Sequence, residues 1–158
     1  MGQITVKVVA VLHARPVDVY ATIADYRHGH PSILPPAHLY NLQVEQGGYG
    51  AGTVIRVTSR VLGVERTFHH QVVEPEPGKI LREQSIEDAA HEATTFTVTP
   101  VAQGTQSQVE IATILPSSSG FRGVVERIIV PLALAPIYRQ ELARLEQVAQ
   151  QRAIQSPV

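Results

Sequence analysis

The chain has no cysteine, no tryptophan and a single methionine among its 158 residues. Without cysteine it can form no disulfide bond, no thiolate nucleophile and no sulfur-liganded zinc or iron–sulfur site. Charged residues make up only 17% of the chain and leave a formal net charge of -1. Because nucleic-acid binding needs a basic stripe that this sequence lacks, we expect no nucleic-acid partner.

Long hydrophobic runs are also missing. The longest apolar segment, residues 128–137, contains two prolines and is shorter than the roughly 20 residues that span a bilayer. The first residues alternate like a strand and lack the charged start and apolar run of a signal peptide. We therefore expect a cytoplasmic protein without stable membrane insertion. The length suits one domain, predicted over residues 1–150, with residues 151–158 as a frayed tail.

The spacing of apolar residues changes twice along the chain. Alternation predicts a strand over residues 4–12, and the Arg-Pro-Val-Asp sequence after it starts a helix, because proline suits a first helical turn. From Leu39 onward, period-two patterns predict six strands joined by short Gly- and Pro-rich turns, which implies antiparallel hairpins. After Gly120 the spacing becomes helical. Pro131 and Pro136 are expected to kink or interrupt the first part of this long helix.

This order predicts an α+β fold of the helix-grip type. A seven-stranded curved antiparallel sheet would wrap around a long C-terminal helix, with two short helices after the first strand and a cavity between sheet and helix. The order resembles the START-like, Bet v 1-like superfamily (SRPBCC) and its bacterial polyketide cyclase/dehydrase and lipid-transport branch. Five phrases carry the resemblance: PVDVY (16–20), ADY (24–26), GAGT (50–53), VEPEPGK (73–79) and TFTVTP (95–100). The likeness extends over about residues 5–148. The resemblance implies one of the functions found in this superfamily, which includes carriers of lipids or hormones, aromatases and cyclases, and chaperone activators.

The histidine-rich sequence ADYRHGHPSILPP at residues 24–36 suggests a metal site at first sight, with His38 close behind. Zinc sites need three or four ligands at rigid spacing, and neither a His-Glu-x-x-His motif nor a carboxylate triad accompanies these histidines. We therefore expect no metal and no other cofactor. In a helix-grip fold this segment lies over one end of the cavity. His28 and His30 then become candidate gate residues, and Ile33 and Leu34 apolar contacts that close the cavity.

Strand parity sorts the remaining polar residues. Phe68 marks the inward face of its strand, so His70 should face the cavity, His69 should face water, and Arg66 should lie near the mouth. The same reasoning turns other polar groups toward the cavity. The predicted ligand-binding residues are Ser59, Arg66, Phe68, His70, Thr113, Tyr138, His30, Ile33 and Leu34, and Tyr40 could add a hydroxyl.

His70 and Arg66 are the candidates for catalysis. Histidine exchanges protons near neutral pH, as a cyclase or dehydratase requires, and arginine can polarise a ligand carbonyl. Each also has a structural interpretation: a buried histidine hydrogen-bonded to a carbonyl or a water, and an arginine paired with Glu83 or another acid at the rim. Ser59, Thr113 and Tyr138 could equally be satisfied core hydroxyls.

The favoured interpretation is a carrier or sensor that binds a hydrophobic small molecule, such as a lipid or a polyketide-like compound. The alternative is a polyketide cyclase or dehydratase that uses His70 as general acid or base and Arg66 as carbonyl polariser. A third interpretation is a protein-interaction role, which predicts an exposed apolar patch and no cavity. The exposed edge strands of the sheet could also support a homodimer.

Overall fold

The computed structural model describes residues 2–155, and their elements follow the order that the sequence predicts. Met1 and residues 156–158, which include the end of the predicted tail, lie outside the described residues. A turn of 3-10 helix, Ala102–Gly104, separates the last two strands. The regular elements are β1 (Gly2–Leu12), α1 (Pro16–Ala24), α2 (Gly29–Ile33), β2 (Leu39–Gln46), β3 (Val54–Val61), β4 (Val64–Glu76), β5 (Ile80–Ser85), β6 (Ala93–Val101), β7 (Gln106–Ser117) and α3 (Gly120–Gln155).

All seven strands form one antiparallel sheet in the order β1-β7-β6-β5-β4-β3-β2. Short turns connect β2 to β7 as successive neighbours, and β1 closes onto β7 along its whole length, from Gly2 opposite Ser117 to Leu12 opposite Ser107. Together with the two short helices and α3, this sheet confirms the predicted α+β helix-grip fold.

The core lies between the sheet and α3. Alternate residues of β1, among them Ile4 and Val6, are buried, while the residues between them are exposed. On α3, Tyr138, Leu142 and Leu145 pack into the same apolar cluster at helical spacing. Burying such side chains stabilises the fold by roughly 1.5–3 kcal/mol each, so the two apolar faces hold sheet and helix together.

A β-bulge in β2 reverses the side-chain parity that the sequence predicts. Asn41 has a φ of 58°, in the left-handed region, and the pairing with β3 shifts between Tyr40 and Gln43. Because of the extra residue, Leu39 lies opposite the inward Ser59, and Tyr40 lies opposite Thr58. The expectation that Tyr40 offers its hydroxyl to the cavity is therefore wrong: it donates to Glu65 outside the cavity.

Helix α3 runs without interruption from Gly120 to Gln155, with Pro131 and Pro136 inside it. Of the two expected effects of these prolines, a kink or an interruption, the interruption does not occur. The neighbouring Val130, Leu134 and Ala135 pack against the core. At the other end, residues 151–155 are helical. No helix within residues 2–155 is long and apolar enough to cross a membrane.

The helical end of α3 is anchored to the end of α1, in the part of the chain where the sequence predicts fraying. The Arg152 guanidinium donates to Asp25 at 3.1 Å and to the Thr22 hydroxyl at 3.2 Å. These bonds give residues 151–155 a fixed partner, which a solvent-exposed tail would lack.

Candidate functional site

A cavity with two adjoining chambers lies between the sheet and α3. The inner chamber has a volume of about 80 Å³, and none of the residues that line it is exposed. The outer chamber, of about 370 Å³, reaches the surface beside the exposed Leu62, Val64 and Arg122. Four residues line both chambers and form the boundary between them: Leu39, Phe68, Leu115 and Tyr138.

Eight of the nine residues predicted to bind ligand line this cavity. Ser59 and Arg66 lie in the outer chamber, while Phe68 and Tyr138 border both chambers. The inner chamber contains the remaining four, His30, Leu34, His70 and Thr113. The structure thus brings these side chains together from α2, β3, β4, β7 and α3. Their role in binding stays a prediction.

Ile33 is the exception, because it lines neither chamber. It is fully buried in the core beneath α2, and the next residue, Leu34, takes the place at the chamber wall. The docking of α2 explains this orientation. A Cβ atom on Gly29 would lie 2.6 Å from the Thr22 carbonyl oxygen, so α2 approaches α1 too closely for any side chain at that position.

The two candidate gate histidines have different environments. The side chain of His28 is 87% exposed, whereas that of His30 is 3% exposed and belongs to the inner chamber. Its Nδ1 lies 2.8 Å from the Ile23 carbonyl oxygen, and its Nε2 lies 3.3 Å from Glu83. The ring stacks on Tyr26, with 4.5 Å between centroids. His30 therefore forms part of the chamber wall, and its role as a gate stays a prediction.

Glu83 lines the inner chamber but not the outer one, and its carboxylate is hydrogen-bonded within the cluster around His30. Besides His30, the Tyr26 hydroxyl donates to its carboxylate at 2.6 Å. Burial, followed by the charge of Glu83, raises the pKa of Tyr26 well above its ordinary value, so the hydroxyl stays a donor. Of the two partners proposed for Arg66, Glu83 or another acid at the rim, Glu83 is therefore not the one that the structure shows.

Arg66 pairs instead with Glu92, the residue just before β6. Its guanidinium donates to one oxygen of this carboxylate and lies over the Phe68 ring, 4.5 Å from the centroid. The other carboxylate oxygen lies 3.2 Å from Nε2 of His70. One buried carboxylate therefore links the two candidate catalytic residues, and Arg66 reaches the histidine only through it.

This linkage defines the state of the His70 ring. Burial raises the pKa of Glu92, but the His70 hydrogen bond and the Arg66 charge outweigh it, and the pKa falls below its ordinary value. An ionised carboxylate only accepts hydrogen bonds, so Nε2 of His70 carries the hydrogen. In the neutral ring this leaves a lone pair on Nδ1. That atom is buried and has no hydrogen-bond partner within residues 2–155.

A third carboxyl group, Glu141, projects from α3 into the inner chamber and is 3% exposed. Burial and then the negative charge of Glu83 raise its pKa to about 8. No hydrogen bond to another residue contributes to this pKa. Glu141 is thus a neutral carboxylic acid at neutral pH, with a hydrogen to donate into the chamber.

Hydroxyl groups complete the wall of the inner chamber. The Tyr138 hydroxyl lies 2.6 Å from that of Thr113, which lies 2.8 Å from that of Thr94 on the neighbouring strand. Burial raises the pKa of Tyr138 far above its ordinary value. These hydroxyls are hydrogen-bonded to one another, which matches the structural interpretation of Thr113 and Tyr138, and both still face the chamber.

The remaining histidines give no metal centre. His38 lies 3.1 Å from the Arg60 carbonyl oxygen at the surface, away from His28 and His30. Across the described part of the chain, no three His, Asp or Glu side chains are grouped to hold a metal ion.

Sequence reasoning missed the three glutamates of the inner chamber as a group. Strand parity cannot relate residues on β5, on the loop before β6 and on α3. One signal was present: Glu141 falls between Tyr138, Leu142 and Leu145 on the apolar stripe of α3. A carboxyl group on a buried helix face is rare unless paired, so its position indicates a functional cavity.

The first half of α3 carries exposed apolar side chains, including Phe121 at 84% and Leu132 at 69% exposure. An interaction role without a cavity predicts such a patch but also a filled interior. The two chambers contradict the second condition.

Comparisons with known proteins agree with the fold. A family model described as polyketide cyclase / dehydrase and lipid transport matches residues 3–150. The solution structure of KanY protein is similar, with 28% identity and a TM-score of 0.79 over 95% of this chain and 99% of that chain. No curated protein matches the sequence.

Two more distant structures share the fold at low identity. The ZhuI aromatase/cyclase from Streptomyces sp. R1128 is 16% identical, with a TM-score of 0.75 over 96% of both chains. A norcoclaurine synthase point mutant from Thalictrum flavum is 15% identical, with a TM-score of 0.68 over 96% of both chains.

Proposed function

The chain belongs to the polyketide cyclase / dehydrase and lipid transport family, and we propose that it binds a hydrophobic small molecule, such as a lipid or polyketide-like compound, in its two-chambered cavity. The observation that carries this proposal is the outer chamber. Its volume of about 370 Å³ is open to the surface, and apolar residues of β3, β4, β7 and α3 supply most of its wall. Ligand sites are typically concave, mainly apolar and equipped with a few polar groups that fix orientation.

The polar groups lie at the inner end of the cavity. An apolar ligand body would occupy the outer chamber, and a polar end would pass Phe68 and Tyr138 to reach His70 and Glu141. This arrangement favours an amphipathic ligand over a pure hydrocarbon, since the polar wall of the inner chamber needs hydrogen-bond partners.

Titration with N-phenyl-1-naphthylamine, an uncharged fluorescent hydrophobe, tests the proposal. We expect saturable binding to the wild type and at least tenfold weaker binding to Leu115→Trp, whose indole would fill the junction between the chambers. Val17→Trp is the matched control, because Val17 is 66% exposed on α1. Equal binding by all three proteins would place the dye on the surface and count against the cavity as the site.

A second candidate function, acid–base catalysis on a ketone, is favoured by the unpartnered Nδ1 of His70. In this proposal Nδ1 removes a proton from the carbon next to a ligand carbonyl. The C–H electron pair forms the enolate double bond, and the carbonyl oxygen is stabilised by a hydrogen bond from Glu141. Glu92 holds the Nε2 hydrogen and Arg66 positions Glu92, so Arg66 acts as a positioning residue and not as the carbonyl polariser.

Exchange of the methyl protons of 2-acetylnaphthalene in heavy water tests this second candidate. We expect the protein to accelerate exchange and His70→Gln to slow it by about 100-fold, the usual size of a general-base contribution. His69→Gln is the neighbouring control, since His69 faces outward and pairs with Glu45. If the ketone protons exchange equally fast with His70→Gln and with His69→Gln, His70 is not the base.

The cytoplasmic location, the homodimer and the absence of a nucleic-acid partner stay predictions.

A further inference from the structure

Three carboxyl groups meet in the inner chamber, on three separate elements. Glu83 comes from β5, Glu92 from the loop before β6 and Glu141 from α3. No lysine or arginine of residues 2–155 lines this chamber, because Arg66 reaches Glu92 from the outer one. A chamber of this composition has a sign preference, since like charges among buried residues repel more strongly than they do in water.

Two of the three carboxylates already have their donors. Glu83 accepts from Tyr26 and lies beside Nε2 of His30, and Glu92 binds Arg66 and His70. Neither therefore needs a donor from a ligand. Two groups remain. Glu141 has no hydrogen bond among the causes of its raised pKa, and its protonated carboxyl can donate. Nδ1 of His70 has no hydrogen-bond partner within residues 2–155, and in the neutral ring its lone pair can accept. A ligand group that completes the chamber must accept from the first, and a hydroxyl could also donate to the second.

We propose that the inner chamber selects ligands that end in an uncharged carbonyl or hydroxyl group and rejects carboxylic acids. Glu141 determines this specificity. The inference rests on the proposed binding function. A ligand carboxylate would lie in a chamber that Glu83, Glu92 and Glu141 line and that no lysine or arginine among the described residues lines, so it would have to take up a proton to enter. A carbonyl oxygen instead accepts the Glu141 hydrogen.

The selection is tested by measuring the dissociation constants of four naphthalenes of similar size near pH 7. They are the ketone 2-acetylnaphthalene, the acid 2-naphthoic acid, the hydrocarbon 2-ethylnaphthalene and the amine 2-naphthylmethylamine. For the acid, contact between like charges is expected to weaken binding about tenfold or more. We expect the ketone to bind about fivefold tighter than the hydrocarbon, the effect of one net hydrogen bond, and the acid to bind at least tenfold weaker than the ketone. An acid or an amine that binds as tightly as the ketone overturns the proposal.

Variants at position 141 locate the specificity. Glu141→Gln keeps a donor, so it should keep the ketone preference, whereas Glu141→Leu should lose the roughly fivefold margin over the hydrocarbon. A preference that survives in Glu141→Leu overturns the role of Glu141. If the leucine variant does not fold, a pH series with the wild type and Glu141→Gln decides.

The pH series uses the ionisation of Glu141, which removes its hydrogen. The ketone preference of the wild type should disappear between about pH 7 and pH 9.5, while Glu141→Gln keeps it. The other titratable groups around Glu141 are Glu83, Glu92, His30, His70, Tyr138 and Tyr26, and they are common to both proteins. If the ketone preference of the wild type and that of Glu141→Gln change with pH in the same way, Glu141 does not determine the specificity.

Failure of all four naphthalenes to bind would overturn the proposed binding function itself, whereas binding without selection overturns only this inference.

Discussion

Nε2 of His70 lies 3.2 Å from one oxygen of Glu92, and the other oxygen of that carboxylate accepts from Arg66. The carboxylate therefore joins the middle of β4 to the residue that precedes β6, and it does so inside the protein, where Glu92 is 6% exposed. A buried carboxylate with two donors is stabilised in its charged form, and it keeps the hydrogen of His70 on Nε2.

Removal of this carboxylate should destabilise the fold. Glu92→Ala leaves Arg66 and His70 without their acceptor, and we expect the free energy of unfolding to fall by about 1–3 kcal/mol. Urea denaturation measures the change. Glu87→Ala, on the exposed loop between β5 and β6, is the control and should change stability by less than about 0.5 kcal/mol. If the two variants lose the same free energy of unfolding, the hydrogen bonds of Glu92 make no net contribution to stability.

The raised pKa of Glu141 makes stability depend on pH in a defined direction. The folded protein holds the Glu141 proton up to about pH 8, whereas the unfolded chain releases it near the ordinary glutamate pKa of 4.5. The stability linked to this proton is therefore fully present below that lower value and is lost as pH rises toward 8. Glu141→Gln has no such proton. Its stability relative to the wild type should rise by roughly 2–4 kcal/mol between pH 5 and pH 8.

Thermal and urea unfolding of both proteins across this range measure the difference, with Glu87→Gln as an exposed control whose difference stays constant. A pH-independent difference for Glu141→Gln would contradict the raised pKa.

Because of the bulge at Asn41, we expect substitutions at the adjacent Leu39 and Tyr40 to affect ligand binding differently. Leu39 borders both chambers, whereas the Tyr40 hydroxyl donates to Glu65 outside them. Leu39→Trp should therefore weaken binding of N-phenyl-1-naphthylamine about tenfold by filling the passage, and Tyr40→Trp should leave it unchanged. Fluorescence titration distinguishes the two. Weaker binding by Tyr40→Trp and unchanged binding by Leu39→Trp would mean that Tyr40, and not Leu39, faces the cavity.

Arg152 predicts that the end of α3 contributes to stability. Its guanidinium binds Asp25 and Thr22 with 32% of the side chain exposed. Because partial exposure screens the charge, Arg152→Ala should cost only about 0.5–1.5 kcal/mol. The neighbouring Gln151→Ala, at an exposed position, should cost nothing measurable by urea denaturation. A loss no larger than that of Gln151→Ala would indicate a frayed end.

The sequence by itself determined the order and type of the elements. Periods of two and of 3.6 arise from the backbone geometry of strands and helices, so Phe68, His70 and the apolar stripe of α3 show their orientation locally. Short turns between successive strands likewise specify antiparallel neighbours. Pro131 and Pro136 lie inside one continuous helix although proline favours an interruption, and Val130, Leu134 and Ala135 beside them pack against the core. Residues 151–155 are helical and bonded through Arg152, and the fraying of this end stays a prediction.

Only the tertiary structure decided which side chains meet. Asn41 adds one residue to β2, and this reverses the roles of Leu39 and Tyr40, although the sequence alternates on both sides of it. Glu83, Glu92 and Glu141 lie up to 58 residues apart, the difference between positions 83 and 141. Their approach depends on how the sheet closes around α3, and no local period records that distance. The chemistry of the inner chamber follows from this convergence. Burial and the Glu83 charge raise the pKa of Glu141, whereas the His70 and Arg66 bonds lower that of Glu92.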